Sequence, residues 1–93
     1  MKKIYKYPLE IGNQQFLKLP TGAEILSVQV QNNKPFLYAL VNPQAQEQTR
    51  LFRIYPTGGE VQYSVESEYI GTFILSDPSN HTGTFVGHLF EQK

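Results

Sequence analysis

Apolar residues recur at every second position along almost the whole chain, which is the period of strands with two unlike faces. In Glu24–Gln31, Leu26, Val28 and Val30 point one way while Ser27, Gln29 and Gln31 point the other. Phe36–Val41 is apolar on both faces, the pattern of a central strand covered on both sides. Between them stands Asn32-Asn33, a residue type that tolerates positive φ, so the two runs read as a two-residue hairpin. Thr49–Tyr55 sets Leu51, Arg53 and Tyr55 against Arg50, Phe52 and Ile54. Glu68–Leu75 sets Tyr69, Gly71, Phe73 and Leu75 against Ile70, Thr72 and Ile74, and Thr84–Phe90 puts His88 with Val86 and Phe90. At the front, Lys3–Leu9 and Gln14–Leu19 read as a further pair joined around Gly12-Asn13.

Turn signals separate these runs: Pro20-Thr21-Gly22, Asn42-Pro43, Pro56-Thr57-Gly58-Gly59 and Asp77-Pro78. No window carries a 3.6-residue apolar period, and Gln44–Gln48 has room for one helical turn at most. The pattern predicts an all-β fold, a small antiparallel sandwich or partly open barrel of about seven strands. Pro20-Thr21-Gly22-Ala23-Glu24-Ile25 returns as Pro56-Thr57-Gly58-Gly59-Glu60-Val61. Shared turn chemistry with a strand to follow accounts for this echo more simply than duplication does.

With 93 residues the chain makes one domain, residues 1–93, because a second would leave each half too short to bury a core. Eight Lys+Arg balance eight Asp+Glu, so the basic excess that duplex nucleic acid demands is missing. The absence of Cys removes disulfide scaffolds and thiolate chemistry together. No apolar run approaches the roughly 20 residues that span a bilayer, and no apolar signal core follows Met1-Lys2-Lys3. A protein of the cytoplasm, without membrane contact, is expected.

Groups for catalysis are few: Asp77, seven Glu, His81 and His88. Asp77 precedes a proline and is expected to close a turn with its own side chain. His81 lies in the polar loop Ser76–Thr82, and His88 reads as a hydrogen-bonded core or rim residue rather than a base. These residues predict no catalytic set, no metal site and no cofactor, hence no enzyme. Binding is the richer signal. Six Tyr and six Phe stand beside a few cations, the combination that stacks on bases and holds phosphate oxygens. The candidate ligand-binding residues are Tyr5, Lys6, Tyr7, Tyr38, Arg50, Arg53 and His88, with backbone N–H groups around Thr57 and Gly58. Tyr5 and Tyr7 share one face of their strand and Lys6 takes the other, while Arg50 and Arg53 face opposite ways.

Lys3-Ile4-Tyr5-Lys6-Tyr7-Pro8-Leu9 and Leu19-Pro20-Thr21-Gly22-Ala23-Glu24-Ile25-Leu26-Ser27-Val28-Gln29 resemble a family of short phage- and prophage-encoded proteins of unknown function. Pro35–Pro43, Tyr69-Ile70-Gly71-Thr72 and His88-Leu89-Phe90-Glu91 resemble it too. The chain departs from that family's pattern at Tyr38, Asn42 and Gly87. The resemblance implies an origin and a size class rather than a mechanism. It suggests a viral protein in a bacterial host that counters a host defence. Two forms of that function are expected. One is an oligomeric sponge for a nucleotide second messenger, and the other is a module that inhibits a host or phage protein by strand addition. The partner is then a small nucleotide or a host defence protein. Because Thr84–Phe90 carries little charge to blunt an edge, that last strand is expected to pair with a second copy and give a homo-oligomer.

Overall fold

The computed structural model describes residues 1–93 as seven antiparallel strands in two sheets, without a helix. The strands are β1 Lys3–Pro8, β2 Gln15–Pro20, β3 Glu24–Gln31, β4 Lys34–Val41, β5 Glu47–Pro56, β6 Ser67–Ser76 and β7 Thr84–Gln92. One sheet runs β1-β4-β3 and the other β2-β5-β7-β6, so the fold is a sandwich whose sheets do not close into a barrel. No helix is long and apolar enough to cross a membrane.

The Asn32-Asn33 hairpin forms as its residues require, with φ of 52° and 58°, the paired left-handed geometry of a type I′ turn. Asn33 then reaches the other sheet: its side chain donates to Ser76 O at 3.1 Å and accepts from Ser76 N at 2.8 Å. Asp77 closes its turn by accepting from Ser79 N and Ser79 Oγ.

Three sequence expectations fail, each because periodicity assigns faces but not neighbours. First, β1 and β2 do not pair. β1 takes β4 and β2 takes β5, and the segment between them crosses from one sheet to the other. Buried Leu9 holds that crossing, its N–H donating to Pro35 O at 3.0 Å. Second, β7 is no edge, because β5 and β6 flank it on either side, and pairing with a second copy through that strand is closed off. The open edges are β1 and β3 in one sheet and β2 and β6 in the other. Third, β4 is central within its sheet but covered on one face only: Leu37, Ala39 and Val41 are buried, while Phe36, Tyr38 and Leu40 stay half-exposed. Gln44–Gln48 forms a turn running into β5 rather than a helical turn.

Leu19, Leu37, Phe52 and Leu89, all fully buried, centre the core between the sheets. Each contributes about 1.5–3 kcal/mol through burial. Gly87 makes room for Phe73, since a Cβ there would stand 2.5 Å from the ring. The sheets come closest where β3 lies over β6, and a Cβ on Gly71 would meet Val28 Cγ1 at 2.9 Å. Toward β1 and β2 the sandwich stays open, and Tyr5, on the inner face of β1 opposite Ala39, is 40% exposed.

A polar clamp joins the layers inside. The Arg50 guanidinium donates to both Glu91 oxygens, at 2.6 and 2.8 Å, and to Ala23 O at 2.7 Å. Hydrogen bonding to Glu91 outweighs burial and raises the Arg50 pKa above its ordinary value. The carboxylate is nearly inaccessible and paired with geometry suited to a buried ion pair.

Candidate binding face on the four-stranded sheet

The alternation that buries Phe52, Ile54 and Leu89 sends Arg53, Tyr55, His88 and Phe90 to the outer face of the four-stranded sheet. Tyr69 joins them through a bulge. Simple alternation puts Tyr69 on the face of Phe73, but the register shifts between Tyr69 and Gly71. The extra residue, Ile70, turns Tyr69 outward opposite Phe90. Phe90 becomes the hub of an aromatic cluster, meeting Tyr69 at 5.4 Å, Tyr55 at 5.7 Å and Tyr63 at 6.5 Å between ring centroids, all edge-to-face. Such pairs contribute about 0.5–1.5 kcal/mol each beyond their burial.

Beside the rings runs a chain of hydrogen bonds. His88 Nε2 lies 2.7 Å from Thr57 Oγ1, and His88 Nδ1 lies 2.8 Å from Thr72 Oγ1, which lies 2.5 Å from Tyr69 Oη. A neutral imidazole offers one donor and one acceptor, so one threonine hydroxyl donates to the ring and the other accepts from it. The imidazole is a fixed strut between the turn at Thr57 and the strand β6. On the far side of Phe90, Arg53 has its Nε buried without a protein acceptor.

The sequence-predicted residues divide among four places. Arg53, His88, Thr57 and Gly58 come together on or beside this face. Arg50 points inward, and its guanidinium is occupied by Glu91 and Ala23. Tyr5 and Tyr7 line the inner face of β1, where burial, with smaller contributions from Tyr5 and Glu47, raises the Tyr7 pKa. Lys6 and Tyr38 sit side by side on the outer face of the three-stranded sheet. There the Lys6 ammonium lies 4.8 Å from the centre of the Phe36 ring and bonds Gln31. One ligand cannot touch all nine residues.

Sequence reasoning missed Tyr55, Tyr63, Tyr69, Thr72 and Phe90 as members of this face. His88 and Phe90 share it by alternation alone, so Phe90 was within reach. Tyr69 was hidden by the bulge. His81 lies exposed in the β6–β7 loop as expected, beside a shallow groove of about 290 Å³ that also touches Thr57. No group of three or more His, Asp and Glu side chains gathers closely enough to hold a metal ion.

Comparison with curated proteins and with solved structures finds no match. A domain of unknown function does match, over residues 1–93, and on that match the chain belongs to the DUF7352 family.

Proposed function

We propose that this is a non-enzymatic binding protein that captures its ligand on the outer face of the four-stranded sheet, and that the ligand is a small nucleotide. The observation that carries the reading is the placement of half-exposed Arg53 directly across from Phe90, the hub of the ring cluster with Tyr69 and Tyr63. Tyr63 and Tyr69 are 68% and 56% exposed, so their rings are open to stacking. A guanidinium beside such rings suits phosphate oxygens and a base together. Thr57, Gly58 and His88 border the same surface. The resemblance of Lys3–Leu9 and Leu19–Gln29 to phage-encoded proteins supports a signalling nucleotide of a bacterial host defence as the target. In this reading the protein works as a sponge in the host cytoplasm.

Purified protein is titrated with cyclic dinucleotides, cyclic trinucleotides and ADP-ribose derivatives while its thermal midpoint is followed. Ligand at about 100 times its Kd adds roughly 2.7 kcal/mol of stability, a rise of several degrees for a chain of this size. Arg53→Ala abolishes the rise. No shift with any of these nucleotides in large excess overturns the reading.

A second reading, a module that covers a host or phage protein, draws on the surface itself. The accessible area is 6073 Å², against about 5,500 Å² for a globular monomer of this mass. Ile4, Phe16, Tyr63, Tyr69 and Ile74 are among the exposed large apolar residues. A stoichiometric protein recovered with the tagged chain from bacterial lysate supports this reading, and heat-released nucleotide supports the first.

A further inference from the structure

The two sheets are unequal, and the shortfall lies beside β1. Three strands, β1-β4-β3, face four, β2-β5-β7-β6, and the layers meet most closely where β3 lies over β6. Counted from that margin, β2 is the strand left without one opposite, and Tyr5 and Leu17, which point between the sheets there, stay partly exposed. Leu9 sets the phase of the β1 ladder, since its N–H donates to Pro35 O directly across from it. In an antiparallel pair, opposed residues that share hydrogen bonds alternate with opposed residues that do not. Lys3, Tyr5 and Tyr7 therefore turn their backbone groups to β4, while Ile4 and Lys6 turn theirs to the open edge and find no partner in the chain. Pro8, with no N–H to offer, ends that row. The other edges are less inviting. β6 is bulged at Ile70 and capped at Ser76 by the Asn33 amide, and β3 is bulged at Leu26. A strand beside β2 would only extend the sheet that is already the wider.

Charge selects what can pair with β1. β1 and β2 carry Lys3, Lys6 and Lys18 and no carboxylate, and Lys2 precedes them. Glu10 and Glu47 stand by the strand ends, Glu47 opposite Pro20. Lys6 leans over the Phe36 ring to Gln31, whereas Lys2, Lys3 and Lys18 have no carboxylate partner. A second copy of β1 laid on this edge would bring lysines to lysines. The same charges complement an acidic strand. We propose that β1 accepts an extended peptide segment of another protein, alternating apolar with acidic residues, as a fourth strand of the smaller sheet. Its main chain bonds the N–H and C=O groups of Ile4 and Lys6. Its apolar side chains turn inward beside Tyr5 and over Leu17, and its carboxylates turn outward, to the side of Lys2 and Lys6. Resting on the second reading above, this site adds a strand and a partner chemistry to it and uses no residue of the ring cluster.

The probe is a synthetic peptide of about nine residues in which valine alternates with glutamate. A valine–lysine peptide and a copy of the acidic peptide N-methylated throughout its backbone serve as controls. Nitrogen-15-labelled protein is titrated with each, to about 1 mM. The acidic peptide shifts the Ile4 and Lys6 amide signals and slows their hydrogen exchange. It binds at least about tenfold tighter than the lysine peptide, and added salt narrows the gap. The N-methylated copy keeps every charge and does not bind. The double variant Lys2→Glu, Lys3→Glu changes exposed side chains only and abolishes the preference for the acidic peptide. No binding of the acidic peptide, an N-methylated copy that binds as well, shifts that spare Ile4 and Lys6, or a preference unmoved by the double variant overturns the proposal. A stoichiometric protein recovered from lysate by a chain that ignores the acidic peptide leaves the second reading standing without this site.

Discussion

The two Pro-Thr-Gly turns begin alike and end differently. Pro20 O accepts from Ala23 N at 3.1 Å and Pro56 O from Gly59 N at 3.0 Å, with Gly22 and Gly58 at φ of 83° and 85°. Both have the positive φ at the third position that a type II turn requires. In each, the proline ends its strand and supplies the accepting carbonyl, rather than pre-setting the second position. After the first turn the chain enters β3 and pairs with β4. After the second it runs from Glu60 to Glu66 with apolar alternation intact and no ladder. Turn geometry is decided locally, whereas a strand exists only where the fold supplies a neighbour.

Anchoring separates the two turns further. Thr21 fastens the first to Gln46 O through both its N–H and its hydroxyl, and the Arg50–Glu91 clamp holds Ala23 just beyond. The second depends on Thr57 meeting His88 and, at its far end, on Lys93 N donating to Glu66 O. The largest expected effect follows from breaking the better-held copy. Glu91→Ala strands the Arg50 charge and lowers stability by about 3–5 kcal/mol in urea unfolding, whereas the double change Arg50→Met, Glu91→Leu recovers most of the loss. A single change that costs less than about 1 kcal/mol would show that the clamp does not hold the sheets together.

A middling effect tests whether the turns are twins. Gly22→Ala and Gly58→Ala meet open space, so each loses only the left-handed allowance, about 1–2 kcal/mol. Equal losses in paired thermal scans confirm the likeness. A loss confined to Gly22 would mean that the second turn is not held in its left-handed form.

The smallest effect concerns the far end of the second segment, where Lys93 and Glu68 pair at the surface. The hydrogen bond and charge of Lys93 hold the Glu68 carboxyl below the usual carboxylate range. A lowered folded pKa gives stability that is present above the unfolded value and fades as pH falls through the folded one. Acid titration of Glu68→Gln should therefore follow the parent less steeply in that window, and the two curves should differ little in high salt. Parallel curves at low salt would remove the ion pair from the account.

Much of the fold was legible. Seven period-two runs gave seven strands, and two adjacent asparagines gave a type I′ hairpin. Partners were not legible: alternation divides Lys3–Leu9 into two faces equally well whether the neighbour is β2 or β4. Bulges were hidden for a related reason. Nothing in Glu68–Leu75 marks Ile70 as the extra residue, so alternation puts Tyr69 on the face of Phe73, whereas it faces out beside Thr72. Of the candidate face, His88 and Arg53 were named from residue type, but alternation alone left open which of Arg50 and Arg53 faces outward, and the structure turns Arg50 in. The rings around Phe90 could not be found, because Tyr55, Tyr63 and Tyr69 meet it from three different stretches of chain.

The sandwich is pinched where β3 meets β6 and gapes along β1 and β2, and this asymmetry sets the order in which the molecule comes apart. β1 hangs from β4 by a single ladder, with most of its side chains in water, so its unzipping exposes little new apolar surface. Thermal breathing begins there, and the opposite margin, pinned by Asn33 on Ser76, yields only with the whole. A protease or a chaperone would meet the amino-terminal strand first.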